Sequence, residues 1–305
     1  MGAADIVPGV SGGTVALVLG IYERLIGNIR VGAGALRQLV TGDLTAARQK
    51  LRRIEWVWIV SLLAGIFLAV AALSSLIGHL LEEQPVRMAA LFLGLVLGAI
   101  WVAWRLLERV DAATISIMLG VGVTLFLLLG LRADTSTATD AAEVVTEPAW
   151  IFFLSGALAI CAMILPGISG SFILVLVGMY DEVLGAVNDR DFVALGVFVL
   201  GCIIGLALFS TLLSWLLANY HNLVIAALIG LMIGSTRVLW PWPGGTETTT
   251  LAAPSGDVLV PVLLIVLGLA LVVVVETVAA QLTSPASRSM PSAMSSSPRA
   301  NENRP

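Results

Sequence analysis

Val7-Pro8-Gly9-Val10-Ser11-Gly12-Gly13 and Leu165-Pro166-Gly167-Ile168-Ser169-Gly170-Ser171 are two copies of one motif, 158 residues apart. The same offset, without a gap, carries Gly20, Tyr22 and Gly27 onto Gly178, Tyr180 and Gly185. Each copy therefore continues through an apolar run into a Gly-x-Tyr-acid sequence. Proline and glycine inside a hydrophobic stretch free backbone groups that an unbroken helix would pair. Two such broken segments, in corresponding positions of two halves, point to a transport site.

The chain around the motifs is built for lipid. With 58% hydrophobic and 12% charged residues and a mean hydropathy of +1.00, its composition is not that of a soluble domain. No basic stripe supports nucleic-acid binding. Cys161 and Cys202 lie in apolar runs without Cys or His neighbours at metal-ligand or redox spacing, and read as small buried side chains. No metal site, cofactor or catalytic residue is expected. Met1 to Asp5 lacks the features of a signal peptide. The Ser/Pro/Arg-rich stretch from residue 283 to 305 reads as a disordered cytoplasmic tail.

Six segments are long enough to cross about 30 Å of hydrocarbon at roughly 20 residues each. They are Trp56 to Leu80, Arg87 to Leu107, Ala112 to Leu131, Phe192 to Leu217, Leu223 to Trp240 and Val258 to Leu282. A broken segment precedes each group of three: Ile6 to Ile29, and Trp150 to Val187. Trp150 to Leu165 is only about 24 Å of helix, which favours a re-entrant hairpin over a full crossing. The expected fold is an all-α polytopic membrane protein of two inverted-topology repeats, residues 1–148 and 149–282. Each is a re-entrant Pro/Gly-broken helical hairpin plus three transmembrane helices.

Charge bias orients the chain. Arg30, Arg37, Arg48, Lys50, Arg52 and Arg53 mark the first connection as cytoplasmic, whereas Ala133 to Glu147 has four acids and no Lys or Arg, as expected outside. Arg105, Arg109 and the C-terminus fall inside. Three spans separate the motifs, so the second copy is inverted relative to the first. Gly94-Leu-Val-Leu-Gly98 is echoed by Gly230-Leu-Met-Ile-Gly234, and Gly65 and Ser74 by Gly205 and Ser214; such glycines read as helix-packing surfaces.

Ser11 and Ser169 stand where N-caps belong, and Gly12-Gly13-Thr14 and Gly170-Ser171 would form the first turns of outgoing helices. Free N–H groups, small residues, hydroxyls and the helix dipole together make a phosphate-sized cradle. The alternative is a pair of capped kinks with no ligand. Arg237, followed by Trp240-Pro-Trp242, is a phosphate ligand or an interfacial anchor. Asp5, Glu23 and Glu276 are candidates for coupling to a proton or sodium ion, or are solvated and snorkelling carboxylates. Tyr22 and Tyr180 are interface anchors or headgroup contacts. Neither His79 nor His221 has a ligand or catalytic neighbour in sequence.

Ala4-Asp-Ile-Val-Pro-Gly-Val-Ser-Gly-Gly-Thr14, Gly20-Ile-Tyr-Glu-Arg24, Ile164-Leu-Pro-Gly-Ile-Ser-Gly170 and Gly230-Leu-Met-Ile-Gly-Ser235 with Trp240-Pro-Trp242 resemble the PopT-type polyprenyl-phosphate transporters over residues 1–282. The resemblance implies a flippase of the cell membrane that returns undecaprenyl phosphate from the outer to the cytoplasmic leaflet, where the carrier lipid is reused. It also implies a helical arm before the first motif, as Trp150 to Leu165 supplies for the second. Only seven residues precede Pro8, so a truncated first hairpin is expected. Membrane undecaprenyl-diphosphate phosphatases share a Pro-Gly-x-Ser motif, but theirs continues with Arg-Ser and is served by a Glu-rich motif. Gly12 and Gly170 stand where that Arg would be, and phosphoryl transfer without a cationic clamp is hard to support. A small-anion carrier or channel would use the same helix termini.

Single cysteines at Thr45 and Ala138, in a background lacking Cys161 and Cys202, test the orientation. An impermeant thiol reagent applied to intact cells should label position 138 and spare position 45; the reverse pattern would overturn the topology.

Overall fold

The computed structural model describes residues 1–5, 11–131, 148–245, 248 and 250–283. The Pro8-Gly9 break, the acidic connection of residues 133–147 and the tail beyond residue 283 lie outside the described residues. Among these residues the chain forms twelve helices and no strand. The first motif contributes α1 (Gly2–Asp5), α2 (Gly12–Val18) and α3 (Tyr22–Val40), followed by α4 (Leu44–Leu51). Three spans follow: α5 (Trp56–Glu83), α6 (Pro85–Arg105) and α7 (Ala112–Leu131). The second motif lies in α8 (Ala149–Ile164), α9 (Gly170–Leu176) and α10 (Tyr180–Asn188), before α11 (Phe192–Ser235) and α12 (Leu259–Thr283).

Five of these helices are long and apolar enough to cross a membrane, and the pair α9 and α10, bent by 109°, makes a sixth candidate. The protein is a multi-pass membrane protein. At 44 residues, α11 would run about 66 Å, twice the hydrocarbon thickness. It is broken at Tyr220 (φ −135°, ψ 41°), between the two spans expected from hydropathy. Expectation and structure differ at its far end. The helix stops at Ser235 rather than Trp240: from Thr236 to Trp240 the chain tightens into turns closed three residues back, and Pro241 then ends them. The first connection is also more regular than expected, since Arg30 and Arg37 ride on α3 and Arg48 and Lys50 on α4.

Local conformation repeats with the sequence. Gly20 (φ 67°) and Gly178 (φ 73°) both take the left-handed turn that lets α3 and α10 start at Tyr22 and Tyr180. At the start of α7, the Thr114 backbone N–H and hydroxyl donate to the Asp111 carboxylate and hold it below the ordinary carboxylate range.

Small residues set the helix pairing, as lipid supplies no hydrophobic force between spans. A Cβ on Gly94 would collide with the Ile265 carbonyl, and one on Gly98 would stand 2.7 Å from Val272 Cβ. Gly230 and Gly234 meet α7 in the same way, at the Met118 carbonyl (2.5 Å) and Leu125 Cβ (2.7 Å). Thus α6 packs on α12, and the second part of α11 packs on α7. The first part of α11 packs on α8 through Gly201 at Phe153, Gly205 at Ala157 and Gly156 at Phe198. Cys202 and Cys161 lie in that seam, half-buried, their thiols directed at the Gly156 and Gly205 carbonyls.

Gly94→Ala should lower the thermal unfolding temperature in detergent, since overpacking costs about 1–3 kcal/mol. Gly65→Ala, where a Cβ meets nothing within 4 Å, should leave it unchanged or raise it. Equal effects at both positions would sink the close-packing account.

Candidate functional site

The candidate site is the place where the two motif copies touch. Ser11 has extended backbone (φ −125°, ψ 143°), and its Oγ accepts from the Gly13 N–H at 3.1 Å, capping α2. The Ser11 hydroxyl also donates to the Met163 carbonyl at 3.2 Å, and the Tyr22 hydroxyl to the Ile164 carbonyl at 3.3 Å. These two carbonyls lie in the last turn of α8, just before Pro166 denies the helix its next N–H. In return, the Gly167 N–H donates to Thr14 Oγ1 at 3.1 Å. Gly167 takes φ 87° with Met232 of α11 close behind it, so a side chain there would be both strained and crowded.

The copies differ in how open they are. Ser11, Gly12, Gly13 and Thr14 are all buried, and the Gly12 N–H donates to Asp5 Oδ1 at 2.5 Å. The position an anion would take at the start of α2 is therefore held by the protein's own carboxylate. In the second copy Ser169 keeps the extended N-cap conformation (φ −98°, ψ 139°) but makes no side-chain cap. Its hydroxyl pairs with Ser171 Oγ at 2.7 Å. Gly170 is buried, Ser169 half-buried and Ser171 exposed.

The remaining sequence candidates fall in three places. Arg237 lies beyond the end of α11, its guanidinium 4.9 Å from the Phe126 ring centre and hard against Gly130 of α7. Its neighbour Val238 joins Ile168 and Ala162 in one buried cluster, which keeps this arginine near the second motif. Glu276 pairs with Arg105 at 3.1 Å, joining α12 to the last turn of α6. Glu23 lies 3.3 Å from His221 Nε2.

His221 was set aside on sequence, yet it sits beside the Tyr220 break with its Nδ1 buried and without a hydrogen-bond partner. Asn222 next to it accepts from the Glu108 N–H and donates to the Arg109 carbonyl. The polar run Asn219-Tyr-His-Asn222 between two apolar stretches was the available signal. Glu23 also neighbours Arg24, which with Asn28 binds Glu55 and holds that carboxyl below its ordinary range. Among the described residues no cluster of His, Cys, Asp and Glu could hold a metal ion.

Comparison with known proteins bears on what this contact serves. Residues 1–256 match the profile of a family described as undecaprenyl phosphate translocase-like. The chain belongs to this family. A polyprenyl-phosphate transporter of Vibrio cholerae serotype O1 is 40% identical over 265 residues, covering 86% of this chain and 81% of that protein. A second, from Staphylococcus aureus, is 28% identical over 251 residues, covering 79% and 83%. No solved structure matches the chain. The translocase-like family and these relatives are transporters, so the chain is a member of a transporter family and not an enzyme.

Thr14 bridges the two copies. Thr14→Val should leave the buried Gly167 N–H without its acceptor and lower stability by about 1–3 kcal/mol, read as a drop in unfolding temperature. Thr14→Ser should restore most of it; equal loss with serine would assign the effect to packing alone.

Proposed function

We propose that the protein carries undecaprenyl phosphate, intact, from the outer to the cytoplasmic leaflet of the cell membrane. The observation behind this reading is the contact of the two motif copies through Thr14 and Gly167, within a chain of the translocase-like family. In this proposal the two halves are inverted repeats whose broken segments meet inside the membrane, and the C-terminus is cytoplasmic.

The phosphate first engages Ser169, Gly170 and Ser171, the more exposed copy, with Arg237 as the nearby cation. Ser11, Gly12, Gly13 and Thr14 take it over when Asp5 releases the Gly12 N–H. Asp5 is the carboxylate we assign to ion coupling, because a proton or sodium ion on it would weaken its hold on that N–H. Glu23 and Glu276, held by His221 and Arg105, have the lesser part. Hydrogen-bond donors on small residues suit a phosphate monoester that must be bound and then let go. No bond in the lipid is broken.

In proteoliposomes the protein should move undecaprenyl phosphate between leaflets and release no inorganic phosphate from undecaprenyl diphosphate. Gly170→Leu should abolish movement while the protein remains inserted. Ser169→Ala should slow it less than about tenfold, the worth of one hydrogen bond. Fast movement of inorganic phosphate with none of the lipid would overturn the proposal in favour of an anion carrier.

A further inference from the structure

The repeat creates two corresponding corners, and they are packed differently. At one corner Ala162, Phe172 and Ile173 of the second motif pack together with Leu231 of α11 and Leu125 of α7. The motif offset carries Ala162, Phe172 and Ile173 onto Ala4, Thr14 and Val15. Matching Gly230 to Gly94, and Met118 to Ile265 at the two glycine seams, carries Leu231 onto Leu95 and Leu125 onto Val272. All five counterparts line a cavity of about 160 Å³ between α2, α6 and α12.

The cause is legible residue by residue. Thr14 stands where the other corner has the ring of Phe172, and Val272 where it has the longer Leu125, so smaller side chains meet at the corner that holds the cavity. Among the described residues Thr14 is the one polar residue of the lining, and its oxygen is engaged by the Gly167 N–H. The rim residues Leu19, Leu271 and Val275 are 38%, 51% and 38% exposed, so the cavity opens at the side of the bundle, where the spans α6 and α12 face lipid. A dry apolar cavity of about 150 Å³ accepts a benzene ring, so this one has room for roughly one isoprene unit. Left empty, it forfeits dispersion contacts along its whole lining.

We propose that this cavity seats the phosphate-proximal isoprene of a polyprenyl chain whose headgroup lies at the broken motifs. The inference rests on the transport reading and adds a recognition element for the chain. A hole of this volume beside Thr14 suits a methyl-branched unit close to the phosphate, whereas a straight acyl chain lacks the branch that would help fill it. The phosphate then reports the headgroup and the cavity reports the lipid class.

The test uses the full chain in vesicles of phosphatidylethanolamine and phosphatidylglycerol, with a polyprenyl phosphate bearing a photoreactive diazirine on its first isoprene. Crosslinks should map to Leu95–Ala99 and Leu271–Val275, and should be competed by polyprenyl phosphate but not by octadecyl phosphate. Val272→Phe should cut them about tenfold, the scale of one lost apolar side-chain contact. Val275→Phe, on the exposed rim, keeps the test available if the buried change misfolds. Crosslinks spread over all lipid-facing helices, indifference to both substitutions, or equal competition by octadecyl phosphate would overturn the proposal. Transport measured in the same vesicles separates the two readings. Labelled walls without lipid movement would sink the transport proposal and keep the cavity, and movement with the label elsewhere would sink the cavity alone.

Discussion

A helix cannot be interrupted inside a membrane unless something else satisfies the backbone it exposes. In this protein the interruption at Pro166 leaves the Met163 and Ile164 carbonyls in need of donors, and the opposite motif supplies them from Ser11 and Tyr22. The debt is repaid in kind, as the N–H of Gly167 is received by Thr14. Side chains of the first copy thus complete the broken helix of the second. The contact exists because the break at Pro166 is not self-sufficient, and the surrounding spans hold Ser11, Thr14 and Tyr22 within its reach.

The asymmetry of the site follows from few residues. Asp5 closes the first copy by accepting from Gly12, whereas the second copy has two serine hydroxyls facing each other at its mouth. The same polarity runs through the apolar packing, where Phe172 fills a corner that Thr14 leaves open. The copies thus differ in the backbone they leave free: the Gly12 N–H is taken by Asp5, whereas Ser169 caps no N–H of α9.

Much of this was legible in the sequence because it depends on local chemistry. The spans, the left-handed turns at Gly20 and Gly178 and the N-cap at Ser11 all follow from hydropathy, glycine and hydroxyl placement. The membrane class and family needed nothing more than composition and motif. What sequence could not supply were pairings between distant segments. Ser169 has the sequence of an N-cap but turns its hydroxyl to Ser171, Arg237 falls outside the helix it was assigned to, and His221 finds Glu23 nearly two hundred residues upstream. Each outcome is decided by where another helix lies, which short-range pattern does not encode.

The crossed pairing of the spans carries a consequence for how the protein is made. Because α6 finds its glycine-matched partner in α12 and α7 finds its own in α11, the halves are laced together rather than set side by side. The early spans leave the insertion machinery with their close-packing faces still turned to lipid, and they must wait there while the second half is synthesised. Assembly is therefore late and concerted: the last described helix locks a partner laid down long before it. A break in synthesis after α7 would leave two spans stranded, α6 with Gly94 and Gly98 and α7 with Gly122 turned to lipid and no neighbour to meet them.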